Sequence, residues 1–122
     1  MPAERHNGDS NACKKLLLLF IHGLGGGAAS WGSFEELILA DPELSSRVDV
    51  RFFAYPTGFI RYWFGPKYLE LQSLADGLGS ALAVEYDKYE KVMLVCHSMG
   101  GLIAKRYIVD QLARKQQLRI CE

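Results

Sequence analysis

What this chain has little of narrows its function before any motif is considered. Its 14 Lys and Arg balance 14 Asp and Glu, so the formal charge is zero with His neutral. That removes the electrostatic case for a nucleic-acid partner or an anionic membrane surface. The basic residues are scattered, and the one loose group, Lys105, Arg106, Arg114, Lys115 and Arg119, follows a predicted helix, where cations complement the dipole. Cysteine is scarce as well. Cys13, Cys96 and Cys121 make no disulfide framework, and Cys96 lies in a predicted core strand, which points to a reducing, cytoplasmic compartment. Long apolar runs are absent: Leu16 to Ile21 falls far short of the ~20 residues of a spanning helix, so no membrane span is expected. Met1 to Ala12 is polar and lacks the apolar core of a signal peptide. Residues 1–13 read as a disordered lead-in, and 14–122 as one domain.

What is present is organised around Lys91-Val-Met-Leu-Val-Cys-His-Ser-Met-Gly-Gly-Leu-Ile-Ala104. Val92 to Cys96 is too short for a buried helix and rich in Val, so it reads as a buried parallel strand. Ser98 falls on the turn after it, and Gly100 and Gly101 let the backbone of a following helix pass close to the strand. This is the pattern of a nucleophile elbow, in which a strained turn exposes the serine hydroxyl and the helix N-terminus aims free N–H groups at the reacting atom. Cys96 stands where the first glycine of G-x-S-x-G belongs, a position that needs a small side chain. The bland alternative is an ordinary strand-to-helix turn with serine as helix cap.

Lys15 to Ile21 is apolar without alternation and reads as a strand covered on both faces. It runs into His22-Gly-Leu-Gly-Gly-Gly27, a backbone that turns sharply or approaches something closely. Three readings compete for this loop. A phosphate loop needs Gly-Lys-Ser/Thr at its end, and Ala28-Ala29 is there instead. A dinucleotide fingerprint is present as Gly23-x-Gly25-x-x-Ala28, but the next strand ends Phe52-Phe-Ala-Tyr55 with no acid to hold a ribose. The third reading, an oxyanion loop with the Leu24 N–H as donor, also accounts for Ser98. His22 then braces the loop rather than titrating in catalysis. No cofactor and no metal are called for.

Elsewhere, Ser33-Phe-Glu-Glu36 has the form of a capping box opening a short helix to about Ala40 that buries Phe34, Leu37 and Ile38, with Asp41-Pro42 as its stop. Val48 to Tyr55 reads as the second strand, joined to the first by a parallel crossover. Tyr55 to Tyr68 mixes two prolines and two glycines with Phe59, Ile60, Tyr62, Trp63 and Phe64. It reads as a loop folded onto the domain, or as an apolar wall or lid over the serine, with Phe59, Trp63 and Phe64 lining a substrate pocket. Leu71, Leu74, Ala75, Leu78 and Leu82 recur at helical spacing, predicting an amphipathic helix from Tyr68 to about Glu85.

Two blocks, Phe20-Ile-His-Gly-Leu-Gly-Gly-Gly27 with Trp31 following and Val95-Cys-His-Ser-Met-Gly-Gly-Leu-Ile103, make the chain resemble the N-terminal portion of the α/β-hydrolase fold. Within it, the likeness is to serine esterases related to lipases, GPI inositol-deacylases and SERAC-type proteins. The resemblance implies a three-layer α/β architecture with a mostly parallel sheet and flanking helices. It implies Ser98 as nucleophile, the N–H groups of Met99 and Leu24 as oxyanion hole, and His22, Gly23, Gly25 and Gly100 as loop support. The expected substrate is an ester or a lipid acyl group.

In that fold an acid and a histidine follow the nucleophile. No histidine follows Ser98 here, and Asp110 lies roughly three helical turns beyond it, too far to orient a base. The expectation is a domain that ends after the nucleophile helix, lacks its general base and acid, and leaves an open sheet edge for a missing C-terminal half or a partner chain. The alternative is a non-catalytic hydrolase remnant acting as an interaction module.

Overall fold

The computed structural model describes residues 15–23, 26–55 and 67–120, with side chains outside 67–70 and 117–120. The lead-in, Leu24, Gly25 and the aromatic stretch holding Phe59, Trp63 and Phe64 lie outside the described residues.

The first strand, β1 (Leu16–Ile21), is the centre of the fold. A second, β2 (Val48–Phe53), and a third, β3 (Val92–Cys96), pair with it in parallel on either side, giving the order β2-β1-β3. Between β1 and β2 come a 3-10 turn (Ala28–Trp31), a helix α1 (Phe34–Ala40) and a helix α2 (Pro42–Arg47). Helix α3 (Lys67–Val84) links β2 to β3, and α4 (Met99–Ile120) follows β3.

The absence of alternation in β1 has the expected cause. Leu17, Leu19 and Ile21 face α3 and α4, packing with Leu78, Ile103 and Ala104. Phe20 faces the other way, with its ring centroid 4.9 Å from that of Trp31, 5.5 Å from Phe52 and 6.0 Å from Phe34. Helical segments therefore cover the sheet on both sides, and the layers number three. Each fully buried Leu, Ile or Phe contributes about 1.5–3 kcal/mol of transfer free energy, so β1 anchors the domain.

Several expectations are corrected. The capping box is not made: Ser33 has φ −87° and ψ 15°, outside the extended region a cap needs, and its side chain bonds no backbone N–H. Phe34 and Leu37 stay 54% and 70% exposed. Trp31 packs closer to Phe20 than Phe34 does, 4.9 against 6.0 Å between ring centroids, and α1 sits at the rim. Asp41-Pro42 ends α1 but also starts α2. Asp41 Oδ1 accepts from the N–H groups of Glu43 (2.9 Å) and Leu44 (3.0 Å), and Pro42 opens the helix. β3 is not a buried strand: it lies at the edge of the described sheet, with Met93 52% exposed. The basic group does not follow α4 but rides on it, because α4 continues to Ile120. There Arg106 pairs with Asp110 at 3.2 Å, one turn along.

Candidate active site

The register brings the site together. Ile21 at the end of β1 lies opposite Cys96 at the end of β3, so the loops leaving both strands start level with each other. The His97 N–H donates to Ile21 O at 3.1 Å, extending the ladder by one bond before the chain turns. At Ser98 it turns through φ +54°, the only non-glycine residue with positive φ among those described. A left-handed serine costs roughly 1–2 kcal/mol, a local strain the surrounding packing maintains. The turn leaves Ser98 exposed at the top of the sheet.

Gly100 is what permits this. A Cβ there would lie 2.2 Å from Ile21 O and 2.8 Å from His22 O, so only glycine lets α4 start against the end of β1. Cys96 is not crowded by the start of α4: even a Cβ on Gly101 would meet Cys96 Cβ at an ordinary 3.9 Å. Burial pushes the Cys96 thiol above its usual range, so it is a packing group and not a thiolate. The N–H groups of Gly100 and Gly101 donate to His97 O and Ser98 O, each at 3.0 Å. Met99 opens α4, where a helix has N–H groups without intrahelical acceptors.

The glycine loop closes on the elbow from the β1 side. A Cβ on Gly23 would lie 3.1 Å from Ser98 Cβ and 3.2 Å from His97 Nδ1. The His97 ring also meets Trp31 edge-on, centroids 6.3 Å apart, so it leans toward the glycine loop. Gly23 O accepts from the Gly26 N–H at 3.1 Å and from His22 Nδ1 at 2.8 Å. A carbonyl can only accept, so Nδ1 of His22 carries the proton. His22 is 5% exposed and braces the loop by this bond.

Sequence reasoning missed Tyr55. Its ring stacks on that of His22, centroids 4.2 Å apart and planes 4° from parallel, while its hydroxyl donates to His22 O at 2.5 Å. Burial raises its phenol above the usual range, which keeps it a donor. The available signal was position: Tyr55 follows β2 by the same short step by which Gly23 follows β1.

The aspartate that follows Ser98 is engaged elsewhere. Asp110 accepts from Gln72 at 2.8 Å and pairs with Arg106, and these contacts, the Gln72 bond first, hold its carboxyl below the usual range. The dinucleotide reading also loses its helix: Ala28 begins a four-residue 3-10 turn, not the long helix whose N-terminus holds a pyrophosphate. No helix among the described residues is long and apolar enough to cross a membrane.

A search of the curated proteins and of the solved structures finds no match to this chain. The alpha/beta hydrolase family matches it over residues 18–120, from the middle of β1 to the end of α4. A match of that extent, on a parallel sheet covered by helices on both faces, means that the chain belongs to the alpha/beta hydrolase family.

Proposed function

We propose that this chain carries the nucleophile of a serine hydrolase acting on carboxylic esters or lipid acyl groups. Ser98 Oγ adds to the acyl carbonyl and gives up its proton to a base. The N–H groups of Met99 and Leu24 receive the developing oxyanion, and the alcohol leaves with a proton, giving an acyl-enzyme that water then hydrolyses. Each such donor is worth about 2.7–4 kcal/mol in the transition state. The observation that carries the reading is the left-handed Ser98 seated on Gly100 against β1, because strain of this kind persists where a hydroxyl must be presented. Among the described residues none is assigned as the base or the acid, and β3, at the edge of the described sheet, is where a partner chain would supply them. Kinship with GPI inositol-deacylases and SERAC-type esterases, and a cytoplasmic location, belong to the same proposal. They rest on the two glycine-rich blocks and on cysteine usage.

A fluorophosphonate probe tests it: the protein taken from its own cells is expected to be labelled, and Ser98→Ala not. Unchanged labelling of Ser98→Ala places the nucleophile elsewhere. One observation favours a second reading, an interaction module. Val92 and Met93 on the edge strand and Leu102, Val109 and Leu112 on α4 are exposed. A stable, monodisperse protein inert to the probe supports that module.

A further inference from the structure

We infer that Tyr55 is a positioning residue that sets the oxyanion loop through His22, a role that rests on the serine-hydrolase reading above. The ends of all three strands take part. Tyr55 follows β2, His22 and Gly23 follow β1, and Ser98 follows β3. One side chain holds both ends of His22: the phenol ring lies flat on the imidazole, and the phenol hydroxyl donates to the His22 carbonyl. Tyr55 is itself 8% exposed, so neither contact competes with bulk water.

The consequence passes along the backbone. With its ring plane fixed, His22 keeps its Nδ1–H aimed at Gly23 O, which the Gly26 N–H holds from another direction. Two donors on one carbonyl hold the amide plane to which it belongs. Gly23 is also the residue of this loop that lies against the nucleophile, where a Cβ would stand 3.1 Å from Ser98 Cβ, so holding its carbonyl holds the loop at the reacting hydroxyl. Stabilisation of a transition state depends on the groups around the reacting atom being placed beforehand. The phenol thus acts on the reacting carbonyl without touching it.

The test compares wild type, Tyr55→Phe, His22→Asn and His22→Ala by the rate of fluorophosphonate labelling at Ser98. The maximal rate is separated from the half-saturating probe concentration, and thermal melts run alongside. Tyr55→Phe keeps the stack and loses the hydroxyl. It is expected to lower the maximal rate about tenfold, less than the roughly 10²–10³ for deleting a donor, with half-saturation and Tm little changed. His22→Asn, whose amide N–H can replace Nδ1–H, is expected to label faster than His22→Ala. Tyr55→Phe should add little to His22→Ala, since both act through one carbonyl. Wild-type labelling rates in Tyr55→Phe overturn the inference and leave the Ser98 reading standing. Wild type unlabelled at Ser98 removes both. Slower labelling matched by an equal loss of Tm, with His22→Asn no better than His22→Ala, makes the residue merely structural and also overturns the inference.

Discussion

Gly100→Ala probes the contact on which the site depends. The new Cβ would stand 2.2 Å from Ile21 O and 2.8 Å from His22 O, where real Cβ contacts essentially never fall below 3.0 Å. Neither atom is a flexible side-chain tip: both are carbonyl oxygens at the end of the central strand, and Ile21 O already accepts from His97. The start of α4 has to move by roughly 1 Å, and overpacking of this kind costs about 3 kcal/mol. Alanine returns less than ~1 kcal/mol in helix propensity, since Gly100 lies in the first turn. The net loss is about 2 kcal/mol, or a fall in Tm of roughly 8 °C for a domain of this size. Urea and thermal unfolding measure it. Gly77→Ala in α3 is the matched control, because its Cβ meets only Phe53 Cζ at 3.9 Å. That variant is expected to gain up to about 1 kcal/mol. If Gly100→Ala unfolds within ~0.5 kcal/mol of wild type, α4 does not start against β1 and the elbow geometry is wrong.

Ser98→Gly relieves the left-handed strain and is expected to raise stability by about 0.5–1 kcal/mol while abolishing labelling. Ser98→Ala, still carrying a Cβ, should give no such gain, and equal melting of the two variants would remove the strain argument. The Asp49 carboxyl is held below its usual range chiefly by the Tyr89 hydroxyl, which donates to it at 2.6 Å; burial opposes this, and the Lys15 charge adds a lesser pull downward. A lowered folded pKa contributes stability above the unfolded value of about 3.9 and loses it as pH falls through the folded one. Tyr89→Phe should therefore cost about 1 kcal/mol at neutral pH, with the deficit shrinking below pH ~4. A deficit constant from pH 7 to 2.5 counts against the ionised pair. Leu37→Gln should change stability by less than ~0.5 kcal/mol, since Leu37 is 70% exposed, and a loss above 1 kcal/mol means its face is covered in solution.

The sequence by itself determined the strands and the elbow. Leu16–Ile21 and Val92–Cys96 are short apolar runs without alternation, and both became parallel strands, though only the first is covered on both faces. Of the two glycines after Ser98, Gly100 marks a backbone passing too close for a Cβ, 2.2 Å from Ile21 O, whereas at Gly101 a Cβ would meet only Cys96 Cβ at 3.9 Å and the close-approach reading fails. The helix over Lys67–Val84 was legible from its leucine spacing. What sequence could not supply was which groups meet across elements. Asp41-Pro42 reads equally as a stop and as a start, and became both because the Asp41 carboxylate found two free N–H groups. Phe34, expected in the core, stays exposed while its ring still touches Phe20, because α1 lies at the rim where Trp31 packs closer. Burial of β3 depended on its place in the order β2-β1-β3, which local pattern does not encode. The tertiary structure alone brought Tyr55 to His22, because parallel register sets the ends of separate strands side by side however far apart they lie along the chain.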